Sequence, residues 1–137
     1  YLVNMSRSFI FSTALSPADI GAALAALHIL ESDTSVLGRL QENVNYMALQ
    51  LIAMGIEATN ETPIFPILIG SNEDTLAVSD YLYNAGIIGT AIRPPTVPVG
   101  ESRIRLTVTA AHNREQIDYV CQTLSKAIKE LNCEGSI

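Results

Sequence analysis

The sequence lacks tryptophan, contains only two lysines and is poor in charge of either sign. Charged residues make up 16% of its 137 positions, hydrophobic residues 48%, and the formal net charge is −6. Because phosphate backbones are bound by basic patches, this balance argues against a nucleic-acid partner. A chain with so few charges favours an interface with other protein. No apolar run reaches the roughly 18 residues that span a bilayer, so we expect no membrane partner.

Cysteine is also scarce, and its spacing excludes two common kinds of site. Cys121 and Cys133 have neither metal-ligand nor CxxC spacing, so we expect no metal and free thiols in a reducing, cytoplasmic compartment. The stretch from Tyr1 to Ser8 has no signal-peptide features and resembles the end of a helix that began earlier. We therefore expect the chain to be part of a longer protein.

Two helices are predicted in the first part of the chain. Ser16 caps the first, which starts with Pro17 and runs to about Leu30. Its residues are apolar almost all round, which predicts a buried helix. A stripe of leucine, valine and methionine predicts the second helix over residues 36–54, ended by Gly55.

Strand and helix signals alternate in the remainder. Pro66 cannot donate to a β-ladder, so the strand that contains it is expected at a sheet edge or with a bulge. The predicted fold class is α+β, with a three-stranded, mostly antiparallel sheet, helices on one face and two preceding helices. The predicted elements are strands over Ile64–Ile69, Ile87–Arg93 and Arg103–Ala110, and helices over Glu73–Asn84 and from Asn113, which starts a capping-box variant with Gln116.

The last predicted strand separates apolar from polar side chains. Side chains alternate between faces along a strand, so Ile104, Leu106, Val108 and Ala110 share one face and Arg103, Arg105, Thr107 and Thr109 the other. Arginine binds carboxylate or phosphate through two parallel hydrogen bonds. We interpret the polar face as part of a ligand pocket. From the residues alone, a solvated arginine on an open sheet face explains Arg105 equally well.

Two stretches resemble one enzyme family. The stretch AIRPPTVPVGESRIRLTVTAAH, from Ala91 to His112, is similar to the C-terminal segment of the α-oxoamine synthases, which use pyridoxal 5'-phosphate (PLP), and most of all to the 8-amino-7-oxononanoate synthases. The second stretch is FIFSTALSP, Phe9 to Pro17. The resemblance implies that residues 33–137 form the small C-terminal domain of a fold-type I PLP enzyme. Residues 1–32 would then be the end of its large domain or the interdomain region.

The resemblance also implies a reaction and site residues. Enzymes of this type condense L-alanine with pimeloyl-CoA or a pimeloyl carrier-protein (ACP) thioester, with loss of CO₂, for biotin synthesis. Arg105 would hold the α-carboxylate of the amino acid. Ser12 and Thr13 would reach the PLP phosphate of the neighbouring subunit, in a homodimer with a shared active site. Arg93 and Thr96 would shape the acyl-CoA or product end of the site, although a rigid turn without ligand contact explains that loop equally well.

No catalytic residue is expected in this chain. PLP enzymes need a lysine for the Schiff base, and the only lysines, Lys126 and Lys129, fall on the solvent side of the last helix. The chain should therefore be inactive alone. A structural ion pair is expected for Arg103, and a helix-entry position for His112.

The sequence is also compatible with two other functions. Glycine as the amino-acid substrate would indicate a 2-amino-3-ketobutyrate CoA ligase, or another α-oxoamine synthase. A non-catalytic α+β module, which binds a small carboxylate or mediates assembly, would explain the absence of a suitable lysine without a longer chain.

Overall fold

The computed structural model describes residues 1–7 and 15–131, which form two units. One comprises Tyr1–Thr34, and the other begins at Ser35. The sequence places its boundary two residues earlier, after residue 32. The assignment of these parts to a large and a small domain stays a prediction.

The first unit contains two helices, α1 (Leu2–Met5) and α2 (Pro17–Ser32). The hydroxyl oxygen of Ser16 accepts a hydrogen bond from the Ala18 amide at 3.2 Å, which confirms the predicted cap. No residue of α2 is buried, and Leu24 and Leu27 are each 52% exposed. The prediction of a buried helix is therefore wrong for the described chain. Apolar composition shows that a helix can be covered, but it does not identify what covers it.

The second unit begins with α3 (Ser35–Ala53), whose apolar stripe is buried in its second half. Val44, Met47 and Leu51 are buried, whereas Leu37, the first residue of the predicted stripe, is 52% exposed. Within residues 1–7 and 15–131, no single helix is long and apolar enough to cross a membrane. Taken together, α2 and α3 meet that criterion by length and composition alone, although the chain is interrupted between them.

The remaining elements build one antiparallel sheet and two helices. They are β1 (Ile64–Gly70), α4 (Asn72–Asn84), β2 (Thr90–Ile92), β3 (Ser102–Thr107) and α5 (Arg114–Glu130). The strand order is β1-β3-β2, and both pairings are antiparallel. β1 lies at the edge and its register shifts between Leu68 and Gly70, so both expectations from Pro66 are confirmed. β2 and β3 are shorter than predicted.

The hydrophobic core lies between one face of the sheet and the helices α3, α4 and α5. In β3, Ile104 and Leu106 are buried, Arg105 between them is exposed, and buried Val108 continues the alternation, which confirms the predicted phase. Full burial of each such side chain contributes roughly 1.5–3 kcal/mol. The core residues of β1 are Phe65, Ile67 and Ile69, and those of the helices include Val44, Met47, Leu51, Val78, Leu82, Ile117 and Leu124.

Side-chain hydrogen bonds fix the exit from β3. Asn113 and Gln116 form the predicted capping box, with reciprocal hydrogen bonds of 2.9 and 3.0 Å at the start of α5. The Asn43 amide on α3 donates to the carbonyl oxygens of Thr109 at 3.0 Å and His112 at 2.8 Å. These bonds tie the β3–α5 connection to α3.

Candidate substrate-binding site

The sheet face that points away from the helices carries both arginines of β3. The register places Arg105 between Pro66 of β1 and Thr90 of β2. One pair further along, Arg103 lies between Leu68 and Ile92. Arg105 is therefore at the centre of a three-stranded surface, and neither of the two residues that the register places opposite it is acidic.

The two arginines differ in their partners. The Arg103 guanidinium forms an ion pair with Glu101, with Nη2 2.9 Å from Oε2, and its Nε donates to the Glu101 carbonyl oxygen at 2.9 Å. This confirms the structural ion pair expected for Arg103. Arg105 is exposed and has no hydrogen bond or ion pair within residues 1–7 and 15–131. Its planar fork of donors is consequently free to bind an external anion, and a carboxylate fits that fork.

The proline loop follows β2 at the end of the sheet nearer to Arg103. The Thr96 amide donates to the Arg93 carbonyl oxygen at 3.0 Å, so these two residues close a turn. Both are exposed. The structure places them beyond Ile92, which pairs with Arg103, so they lie at the sheet end and not beside Arg105. Ser12 and Thr13 lie outside the described residues.

Strand alternation in the sequence groups Thr107 and Thr109 with Arg105, but it does not indicate Thr90. Strand alternation is present in the segment Thr90–Ile92, but it does not reveal which residue of β3 lies opposite. Only the register brings Thr90 to Arg105, and directly opposite residues have Cβ atoms about 4.5–5.5 Å apart. By contrast, consecutive residues on the same face of one strand are about 6–7 Å apart.

His112 has a structural position, as expected. Its Nδ1 accepts a hydrogen bond from the Thr109 amide at 3.1 Å, at the entry to α5. It lines a cavity of about 680 Å³ between the end of β3, the segment that leads into β2, and α5. Arg105, Arg93 and Thr96 do not line this cavity. This cavity and the predicted substrate residues are therefore in different places.

Three groups with a raised pKa lie in the helical layer, away from the open face. The hydrogen bond from Tyr46 to Asp118, 2.7 Å long, raises the pKa of the tyrosine. Burial raises the pKa of Tyr81. Burial also raises the pKa of the Cys121 thiol to about 11, so this cysteine is unreactive near neutral pH. Within residues 1–7 and 15–131, no group of histidine, cysteine or acidic side chains has the arrangement of a metal site.

Comparison with known proteins identifies the family. The model of the family described as aminotransferase class I and II matches residues 1–124. The chain belongs to this family. Within it, an 8-amino-7-oxononanoate synthase of Lysinibacillus sphaericus is 42% identical over 132 residues, which are 96% of this chain and 34% of that protein. The chain thus spans about a third of the length of the curated relatives that it matches.

Solved structures of two α-oxoamine synthases have the same fold as this family member. The 8-amino-7-oxononanoate synthase of Francisella tularensis superposes with a TM-score of 0.76 and 27% identity, over 95% of this chain and 38% of that chain. A serine palmitoyltransferase of S. paucimobilis, solved with a PLP–myriocin aldimine, superposes with a TM-score of 0.83 over 92% of this chain and 32% of that chain. At 24% identity, the second likeness concerns the fold alone. These likenesses confirm the expected α+β fold and the resemblance to α-oxoamine synthases.

Proposed function

We propose that this chain is the substrate-clamping part of a PLP-dependent α-oxoamine synthase that condenses L-alanine with a pimeloyl thioester. The proposal depends above all on one observation: Arg105 is exposed and central on the open face of the sheet, and it has no partner among the residues that the structure describes. The relatives named 8-amino-7-oxononanoate synthase support the choice of reaction. The product would be 8-amino-7-oxononanoate, and CO₂ and the thiol would be released.

The described residues do not fit the covalent anchor of the cofactor. Both lysines of the chain are exposed on α5, and neither lines the open face of the sheet. Bound PLP supplies an electron sink for negative charge at the α-carbon of an amino acid. We assign the described residues to the substrate, and we propose Ser12 and Thr13 as the contacts of this chain to the cofactor phosphate.

Arg105 would bind the α-carboxylate through both arms of its guanidinium. Because it stands in the middle of a strand, its backbone is held on both sides by β-ladders, and the bound amino acid takes one orientation. Arg103 would contribute little, because its guanidinium already has an acidic partner. Arg93 and Thr96, in the turn beyond β2, would face the acyl thioester.

We also propose that the full-length enzyme is a homodimer with a shared active site. The support is the surface of α2, where five large apolar side chains are 39–57% exposed, namely Ile20, Leu24, Leu27, Ile29 and Leu30. Apolar surface of this kind marks an interface, either with a second subunit or with the remainder of the same enzyme, and the homodimer takes the first.

The function is tested with the full-length enzyme loaded with PLP. Release of free thiol is measured with L-alanine and pimeloyl-CoA, and separately with glycine and acetyl-CoA. Preference for the first pair supports the proposal, whereas preference for the second indicates a 2-amino-3-ketobutyrate CoA ligase. No turnover of either pair by a protein with bound PLP would contradict the proposal.

The clamp is tested by Arg105→Ala, with Arg103→Ala as the matched control from the same strand and face. A charge-assisted hydrogen-bonded pair contributes roughly 1.5–3 kcal/mol, so Arg105→Ala should weaken L-alanine binding about 10- to 150-fold. Arg103→Ala should change it by less than about threefold, because that guanidinium is engaged with Glu101. The measurement is the change in cofactor absorbance on titration with L-alanine, alongside thermal melts. A larger loss of L-alanine affinity in Arg103→Ala than in Arg105→Ala, at unchanged melting temperature, would show that Arg105 is not the carboxylate-binding residue.

A further inference from the structure

Thr90 lies opposite Arg105 in the ladder between β2 and β3. Both residues are exposed. The Thr90 hydroxyl has no hydrogen-bond partner in the part of the chain that the structure describes, and neither has the guanidinium. Since opposite residues have Cβ atoms about 4.5–5.5 Å apart, one carboxylate can contact both side chains.

The backbone before Thr90 is held by the core. The Ser79 hydroxyl on α4 donates to the Gly89 carbonyl oxygen at 2.7 Å. Gly89 is buried, and a Cβ at this position would lie 2.8 Å from Leu82 Cδ1 and 3.0 Å from Ile104 Cγ2. The absence of a side chain therefore lets the segment lie directly on the core. Thr90 follows this fixed point and enters β2 in a defined register.

We infer that Thr90 is a second substrate-binding residue, whose hydroxyl donates a hydrogen bond to the same carboxylate that Arg105 binds. This inference rests on the proposed function, because it takes an α-amino acid as the ligand. Pro66, on the β1 side of Arg105, has no side-chain donor. The second hydrogen bond to the carboxylate therefore comes from the β2 side. The carboxylate then has donors from two strands, which fixes its rotation as well as its position.

The experiment compares three variants of the full-length, PLP-loaded enzyme. Thr90→Val removes the hydroxyl and keeps the branched shape that suits a strand. Thr90→Ser keeps the hydroxyl. Thr107→Val is the matched control, since Thr107 is also an exposed threonine of the open face but lies opposite Ile64. Each variant is titrated with L-alanine and with ethylamine, which is alanine without its carboxylate, and cofactor absorbance is followed.

Thr90→Val should weaken L-alanine binding about 10-fold, because a hydrogen bond to a charged group is lost. Ethylamine binding should change by less than about twofold in the same variant. Thr90→Ser should retain most of the affinity for L-alanine, and Thr107→Val should weaken it less than Thr90→Val does. In an Arg105→Ala background, Thr90→Val should add less than its effect alone, because both residues act on one group.

Two results would overturn the inference while leaving the proposed function in place. One is unchanged L-alanine affinity in Thr90→Val when Arg105→Ala is impaired. The other is an equal loss for L-alanine and ethylamine, which would show that Thr90 only supports the fold. If Arg105→Ala itself binds L-alanine normally, the proposed clamp fails, and the role of Thr90 fails with it.

Discussion

Arg103 and Arg105 share one face of β3, but among the described residues only Arg103 has an acidic partner. Its guanidinium is bound at 2.9 Å by the carboxylate of Glu101, two residues earlier in the chain. A partly exposed pair of this kind contributes about 0–1 kcal/mol, so it occupies the Arg103 guanidinium but adds little to the stability of the fold. Within residues 1–7 and 15–131, Arg105 is the arginine of β3 whose guanidinium has no partner, which is why we propose it, and not Arg103, as the carboxylate-binding residue.

Arg105→Lys should restore only part of the L-alanine affinity that Arg105→Ala loses. Lysine keeps the positive charge, but it lacks the planar fork that forms two parallel hydrogen bonds. We expect an affinity between those of the wild type and Arg105→Ala, measured by cofactor absorbance in the full-length enzyme. Full recovery in Arg105→Lys would mean that charge alone matters and that bidentate binding is absent.

Ser12 and Thr13 should act on the site of the opposite subunit. In heterodimers of a Ser12→Ala/Thr13→Ala subunit with a subunit that lacks the PLP-linking lysine, one site carries both lesions and the other none. About half of the wild-type activity per heterodimer is expected. As the reciprocal control, a subunit with both lesions paired with a wild-type subunit should give two inactive sites. If the first mixture shows no recovery after proven subunit exchange, the hydroxyls serve their own subunit.

The chain by itself should be inactive and should not be labelled by PLP at one defined lysine. Lys126 and Lys129 are both exposed on α5, and the active-site lysine of a PLP enzyme has to be held beside the cofactor. After incubation with PLP and borohydride reduction, peptide mapping should show weak labelling spread over both. A single stoichiometric adduct, together with turnover of L-alanine, would contradict this.

Gly89→Ala should destabilise the chain by about 1–3 kcal/mol, because the new methyl group would overpack a filled core. The nearest atoms belong to Leu82 and Ile104, and both residues are fully buried. Gly38→Ala is the matched control: Gly38 lies within α3 with no atom near the added methyl group, so alanine should stabilise by about 0.5–1 kcal/mol. Urea unfolding of both variants gives the comparison. Equal stabilities would show that the core beside Gly89 has spare room.

The free energy of unfolding should fall between about pH 9 and pH 11 through Cys121. Burial raises the pKa of this thiol from 9.0 to about 11, so in that interval the unfolded chain loses a proton that the folded chain retains. The contribution is complete below pH 9 and is lost as the pH rises through about 11. Cys121→Ala should have a shallower decline across the same interval, whatever its absolute stability. Parallel declines in wild type and variant would place the thiol in contact with water.

Local chemistry determined much of this structure. The caps at Ser16 and Asn113 follow from side chains that bind amides two or three residues away. The alternation through β3 needs only the period of a strand, so the outward direction of Arg105 was readable from the sequence. Pro66 predicted an edge strand because it lacks an amide donor.

The register between β2 and β3 and the exposure of α2 were decided only by the tertiary structure. Which residue of β2 faces Arg105 depends on where the chain re-enters the sheet, and that depends on the close packing of Gly89 on Leu82 and Ile104. A single sequence shows neither that contact nor the resulting neighbour, Thr90. The exposure of α2 has the same origin: its apolar residues are fixed by the sequence, but burial depends on surfaces that are distant along the chain or belong to other protein.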